Sequence, residues 1–288
     1  INRIKIKSEN ILSKQAVGRV SSKNVYSPCN YPSANNTAFD GFAINSLDTE
    51  NLSKNNKRKF KIIKTLAAGD NPKINNIKKF STVEVMTGAL ICKPFNSVIP
   101  IEKIKYFPNK KNPKFIIINN KVKKYEHIRF SGSDFKKGEK VIRKGELVKP
   151  SHVLAFKTLG IEKISVKKIL KIAFYTTGNE ITNKKNIPNW KIRNSNSHYI
   201  RSLSESLFFK FVEGKVLRDK DESLFKKVIK KNLKSKYDII ITNGAISAGK
   251  FDFVPKIINN FKLLNYFKGV AIRPGKPIMF AKFKNKNK

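Results

Sequence analysis

Tyr237-Asp238-Ile239-Ile240-Ile241-Thr242-Asn243-Gly244-Ala245-Ile246-Ser247-Ala248-Gly249-Lys250-Phe251-Asp252 is the stretch whose reading decides the fold. Its apolar start, Tyr237 to Ile241, reads as a strand buried on both faces, as in a parallel sheet. A glycine-punctuated turn follows at the strand's carboxyl end, where open α/β sheets take ligands. Gly244 and Gly249 let the backbone come close to a bound group, with Ser247 between them. Asp252 stands where the next helix should begin. Further on, Arg273-Pro274-Gly275-Lys276-Pro277 sets two cations three residues apart around a Pro-Gly turn, a compact anion clamp. Together the two segments point to a phosphorylated, negatively charged small molecule.

Working upstream, the text from Lys168 alternates strand, helix, strand, helix, strand. Strands are predicted at Leu170–Tyr175, Lys215–Leu217 and Asp238–Ile241, and helices at Ser197–Phe211 and Glu222–Leu233. This alternation predicts a three-layer α/β domain over 167–288. Residues 47–128 read differently, as a small β-rich domain. Short runs such as Phe60-Lys61-Ile62-Ile63, Val83-Glu84-Val85-Met86, Ser97 to Ile101 and Phe115 to Ile118 are joined by lysine-rich, Pro-containing loops. Residues 1–46 and 129–166 flank that domain, and the second includes an apolar helix candidate, Ser151–Leu159. The two flanks read as one elongated N-terminal region into which the β domain is inserted.

Composition narrows the class of function. The 288 residues carry a formal charge of +41, which invites a nucleic-acid reading. Against it, lysines are spread along the whole chain, and no basic stripe with interleaved aromatics occurs. The charge reads as a general residue-usage bias that brings salt-sensitive sticking to polyanions but no specific nucleic-acid partner. Cys29 and Cys92 are the only cysteines and have neither metal-ligand nor redox spacing, which favours a reducing compartment. No apolar run approaches the roughly twenty residues of a membrane span. The start, Ile1 to Asn10, has no signal-peptide pattern and does not begin with Met.

Five loop motifs carry the candidate chemistry, and each also has a plain structural reading. Asn35-Asn36-Thr37-Ala38-Phe39-Asp40-Gly41 is either a surface turn or a carboxylate poised for Mg²⁺ or a ligand. Val85-Met86-Thr87-Gly88-Ala89 is either a turn or a hydroxyl aimed at a ligand. In Ile128-Arg129-Phe130-Ser131-Gly132-Ser133-Asp134, Arg129 offers a planar fork to an oxyanion and Asp134 a metal ligand, or the two form a local ion pair. Tyr175-Thr176-Thr177-Gly178-Asn179-Glu180 closes a strand with hydroxyls, a glycine and a carboxylate. Asn194-Ser195-Asn196 then either caps the next helix or presents its free N–H groups to a phosphate. The fifth is the pair of segments quoted first. Glu180 and Asp252 are candidate Mg²⁺ ligands, an ion that shares oxygen ligands with substrate phosphates. His127, His152 and His198 are scattered and read as structural.

In this fixed order the motifs resemble the molybdopterin molybdenumtransferase family, which includes MoeA and the E domain of gephyrin. Asn35 to Ile44 matches the family's DNSAMDGYAV, Met86 to Leu90 its MTGAP, and Arg129 to Asp134 its RxxGED. Thr176 to Ile181 matches STGDEL, Thr242 to Asp252 SGGVSVGxxD, and Arg273 to Pro277 KPGKP. The resemblance runs from about Gly18 to Phe283. It implies insertion of molybdate into the dithiolene of adenylylated molybdopterin with release of AMP, a transferase activity dependent on Mg²⁺. It implies Asp40, Thr87, Arg129, Asp134 and Asp252 as catalytic positions. Thr177, Gly178, Glu180, Ser195, Asn196, Gly244, Ser247, Gly249, Arg273, Gly275 and Lys276 would bind the pterin substrate or its phosphate. It further implies a cytoplasmic homodimer that dimerises through the N-terminal region, and contact with the molybdopterin adenylyltransferase. Related readings are an adenylyltransferase-like activity, or a non-catalytic scaffold of the same fold.

The sequence departs from the family pattern at several positions, four of them in the candidate ligand loops. Asn179 replaces the Asp of STGDEL, Ser133 the Glu of RxxGED, Ala245 one glycine of the GGVSVG core, and Arg273 the first Lys of KPGKP. The GLPGNPVS loop and β-barrel domain expected after Phe283 are not in the sequence, and the helix before Ile11 is short. The chain therefore reads as an incomplete member, truncated at both ends.

Overall fold

The computed structural model describes residues 6–206, 209–232, 237–244, 253–261 and 264–282. The chain divides into two compact units, one of Asn10–Val166 and one of Ile1–Glu9 with Lys167–Lys288.

The Asn10–Val166 unit is built on a six-stranded sheet. Its strands are β1 (Gly41–Ile44), β2 (Arg58–Leu66), β3 (Ser81–Val85), β4 (Ser97–Pro100), β5 (Lys105–Phe107) and β6 (Phe115–Ile118). The spatial order is β4-β1-β3-β2-β6-β5, antiparallel throughout except for the parallel β2–β3 pair. Successive side chains of a strand point to opposite faces, and β1 shows the consequence. Phe42 and Ile44 join one core with Phe60, Ile99 and Ile116, while Ala43 joins another with Leu66, Val83, Val85 and Val98. The sheet thus takes in residues upstream of the 46–47 boundary expected from sequence. Gly41–Ile44 is too short an apolar run to announce itself as a strand buried on both faces.

Around this sheet, Val25–Tyr26 pairs with Lys140–Ile142, and Asn36–Thr37 pairs antiparallel with Ile128–Arg129. Helix α1 (Pro150–Thr158) contributes Phe156 to a further core with Ala16, Ile142, Val148, Ile164 and Val166. The segments before β1 and after residue 129 therefore share one core. His152 Nδ1 accepts the Lys149 backbone N–H at the start of α1, a structural role.

The second unit alternates as expected, with one strand displaced. Its elements are β7 (Lys171–Thr176), α2 (Ser195–Ser206), β8 (Lys210–Glu213), α3 (Glu222–Asn232), β9 (Ile239–Asn243), α4 (Val254–Asn260), β10 (Leu264–Lys268) and β11 (Met279–Lys282). The strands β8-β7-β9 form a parallel sheet, and β10 pairs antiparallel with β11. The strand predicted at Lys215–Leu217 lies instead at Lys210–Glu213, overlapping the last two residues of the helix predicted at Ser197–Phe211. Phe211 and Val212 are strong strand formers, and the sheet outweighs their continuation of the helical pattern. Leu217 still touches the sheet through one parallel bridge to Thr177 and is fully buried among Phe225, Ile229, Phe253 and Ile257. Among the described residues no helix is long and apolar enough to cross a membrane.

Candidate functional site

Each unit gathers its own set of candidate residues. In the Asn10–Val166 unit, β1 and β3 run antiparallel with Gly41 opposite Val85. The residue before β1 and the residues after β3 therefore arrive at the same end of the sheet. This register joins Asp40 to Thr87 across 47 residues of sequence: Asp40 Oδ1 accepts the Thr87 backbone N–H at 2.6 Å and its hydroxyl at 2.8 Å. The backbone bond, then the hydroxyl, hold the Asp40 carboxyl below the ordinary aspartate range, because both stabilise the charged form. Gly41 is required here for space: a Cβ would lie 2.2 Å from the Ile99 carbonyl oxygen.

The neighbouring segments close on the same place. Gly88 N–H donates to Thr37 O and Thr37 N–H to Ala89 O, while Arg129 lies opposite Asn36. Three motifs distant in sequence thus share one ladder. Arg129 donates to Asp134 Oδ2 at 2.5 Å, which lowers the Asp134 pKa and raises that of Arg129. Of the two readings of that segment, the structure has the ion pair. Both side chains are more than one third exposed, so the pair adds little to stability and orients the Arg129 fork at the surface. Sequence reasoning gave no separate role to Asn36, yet its Oδ1 is buried beside this ladder with no hydrogen-bond partner among the described residues. His127 packs edge-on against Phe39 with ring centroids 4.8 Å apart.

In the second unit the carboxyl ends of β7 and β9 meet, with Thr176 opposite Asn243. Thr177 donates both its N–H (3.0 Å) and its hydroxyl (2.6 Å) to the Asn243 carbonyl. Gly244 follows at φ +79°, and a Cβ there would stand 2.6 Å from Thr177 Oγ1. Thr177, Gly178 and Gly244 therefore form one turn cluster at the sheet's carboxyl edge, the expected place for a ligand loop. Glu180 is exposed on the same loop, and Ser195 and Asn196 are exposed at the start of α2.

Asn194, read as a helix cap, is engaged elsewhere. Its Oδ1 accepts the buried Thr176 hydroxyl at 2.9 Å, and its amide donates to Glu213, which Arg201 holds at 2.9 Å. This network ties the end of β7 to the start of α2, and sequence carried no signal for it. Arg273, Gly275 and Lys276 lie on the loop between β10 and β11, closed by Val270 N–H to Lys276 O. Gly275 has φ +113°, and the Arg273 and Lys276 side chains are exposed, with no side-chain partner among the described residues. Ser247, Gly249 and Asp252 lie outside the described residues. Among the described residues no group of three or more His, Cys, Asp or Glu is arranged to hold a metal, so Glu180 stands as a single candidate oxygen ligand.

Comparison with known proteins assigns both parts of the chain. Residues 2–160 match the MoeA N-terminal region (domain I and II), and residues 173–288 match a probable molybdopterin binding domain. The molybdopterin molybdenumtransferase of Staphylococcus aureus is 30% identical over 264 residues, covering 91% of this chain and 61% of that protein. The protein of the same name from Staphylococcus epidermidis is 29% identical over 273 residues, covering 94% of this chain and 63% of that protein. The chain thus spans somewhat over three fifths of the length of these relatives. The crystal structure of the molybdopterin biosynthesis MoeA protein from Pyrococcus horikoshii superimposes with a TM-score of 0.84 at 25% identity, covering 98% of this chain and 69% of that one. With more than half of its length matched by the N-terminal region alone, the chain belongs to the MoeA family.

Proposed function

We propose that this chain acts in molybdenum cofactor biosynthesis as a molybdopterin molybdenumtransferase. It would insert molybdate into the dithiolene of adenylylated molybdopterin and release AMP. The observation that carries the reading is the joining of Asp40 to Thr87 across 47 residues, with the local Arg129–Asp134 pair brought to the same ladder by the pairing of Arg129 with Asn36, in the family's motif order. The domain assignment belongs to the same reading, with the boundary moved to keep the sheet whole: 1–40 with 129–166 as linker and dimerisation domain, 47–128 together with the Gly41–Ile44 strand as inserted β-rich domain, and 167–288 as the pterin-binding domain.

The residues have coherent roles. Asp40 is held charged by two donors from Thr87, so it presents a fixed carboxylate at neutral pH. Arg129 offers the rest of its fork to an oxyanion. Arg273 and Lys276, exposed on one loop, supply positive charge toward phosphate or molybdate. Thr177, Gly178 and Gly244 let the loop backbone approach the pterin closely, and Ser195, Asn196, Ser247 and Gly249 would complete that cradle. Mg²⁺ suits Glu180 with Asp252, since it is held by one or two carboxylates plus phosphate oxygens; when bound it would neutralise phosphate charge. Catalysis of this kind is mostly positioning and electrostatics. A homodimer, a cytoplasmic location and contact with the molybdopterin adenylyltransferase complete the proposal.

AMP release from adenylylated molybdopterin on adding molybdate and Mg²⁺ tests it, with Asp252→Ala as control. Release that requires molybdate and is lost in Asp252→Ala supports the reading. Pterin binding without release would point to a non-catalytic scaffold, and the absence of both would end the enzyme reading for this chain.

A further inference from the structure

Lys191 and Arg218 belong to none of the motifs above, yet they converge on one atom. The Lys191 ammonium donates to the Asn179 carbonyl oxygen at 2.5 Å, and Arg218 Nη1 donates to the same oxygen at 2.5 Å and to Gly178 O at 3.3 Å. Two cationic nitrogens sharing one oxygen lie within about 5 Å of each other, where like charges repel unless something neutralises them. Two acidic side chains lie on the adjoining segments. Glu180 has its carboxylate over Gly178, and Asp221 accepts the Arg218 backbone N–H. Neither forms an ion pair with the two cations, and no other described residue does.

The fold holds this arrangement in place. Gly178 N–H donates to Leu217 O, and Ile192 N–H to Glu180 O, each at 3.0 Å, so the neighbours of both cations are fastened to the Thr177–Glu180 loop. Each carbonyl bond uses only part of the donor set. Arg218 keeps further N–H groups on its fork, and Lys191 keeps two ammonium protons. Spare donors, two cations without an ion-pair partner among the described residues and a fixed loop at the sheet's carboxyl edge together suit a tetrahedral dianion.

We propose that Lys191 and Arg218 form a binding site for a tetrahedral oxyanion, a phosphate ester or molybdate, beside the Thr177–Glu180 loop. Identifying the anion as part of the enzyme's substrate rests on the molybdenumtransferase reading; the anion chemistry does not.

Titration calorimetry of the whole chain with inorganic phosphate, and separately with molybdate, at about 0.15 M ionic strength tests the site. The chain's charge of +41 makes a background control necessary, and Lys137→Gln, an exposed lysine of the other unit, provides it. Lys191→Gln and Arg218→Gln should each weaken binding by about 10-fold or more, as expected for loss of a charged hydrogen bond. Arg218→Lys should retain most of the affinity, Lys137→Gln all of it, and thermal melting checks that each variant is folded. The tighter-binding ion names the source. Equal affinity in the wild type and the Lys191→Gln/Arg218→Gln double variant, or equal loss in Lys137→Gln, would leave only background charge and overturn the site. Anion binding that depends on the two residues in a chain that releases no AMP would keep the site and end the enzyme reading. AMP release with unchanged anion affinity in the variants would do the reverse.

Discussion

Replacing Asn194 by Ala isolates the network that joins β7 to α2. Thr176 is 3% exposed and Asn194 6%, so neither side chain can trade its partner for water. The substitution removes the acceptor of the Thr176 hydroxyl and the donor to Glu213. A neutral hydrogen bond contributes about 1 kcal/mol net, but a buried hydroxyl left without a partner costs about 1–3 kcal/mol. Asn194→Ala should therefore destabilise this unit by about 2–3 kcal/mol. Thr176→Val removes the hydroxyl itself and leaves Asn194 its bond to Glu213 but its buried Oδ1 without a donor, at a cost of about 1–2 kcal/mol. In the double variant no orphaned hydroxyl remains, so its cost should not exceed that of Asn194→Ala alone. That is a coupling of about 1–2 kcal/mol. Because the chain has two compact units, global unfolding is a poor gauge; native-state hydrogen exchange of the Lys171–Thr176 amides reads this unit directly. Costs that add to within about 0.3 kcal/mol would refute the network as a coupled unit.

Four further outcomes follow from the Asn10–Val166 unit. Gly41→Ala drives a Cβ to 2.2 Å from a backbone oxygen of β4, so β1 must shift within the sheet. It should cost about 3 kcal/mol or more, seen as faster proteolysis within Asn10–Val166. Asp134 should titrate below the ordinary aspartate range, and Arg129→Gln should return its NMR midpoint toward about 3.9. Its folded value is depressed, so whatever the pair adds to stability is present above the unfolded value and lost as pH falls through the folded one. Arg129→Gln should thus alter behaviour in acid only by removing that pH dependence. Thr87→Val should raise the Asp40 midpoint only part of the way, because the backbone N–H, the larger cause, remains. Asp40→Asn should lower AMP release about 10²- to 10³-fold while the sheet stays folded.

The elements that sequence made legible are those whose own residues specify them. β9 carries an unbroken isoleucine run before its glycine turn, and β2, β3, β4 and β6 are short β-rich runs bounded by turns. The displaced strand shows where that information ends. From Ser204 to Val212 the apolar residues satisfy a helix continuing from α2 almost as well as a strand, and pairing with β7 decides between them. The site divides on the same principle. A side chain's presence at a turn is written locally, so Asp40, Thr87, Arg129 and Glu180 stand out as candidates. Which side chains meet is written in strand register: Asp40 reaches Thr87 only because Gly41 lies opposite Val85. Lys191 and Arg218 are the limiting case. Their shared partner is a backbone carbonyl, 12 and 39 residues away, and every residue type carries that group. Sequence marks a residue whose own chemistry is distinctive at a turn. It is silent where two ordinary cations on a highly basic chain acquire a role through the one oxygen they share, because that meeting is made by the fold and not by either residue's own chemistry.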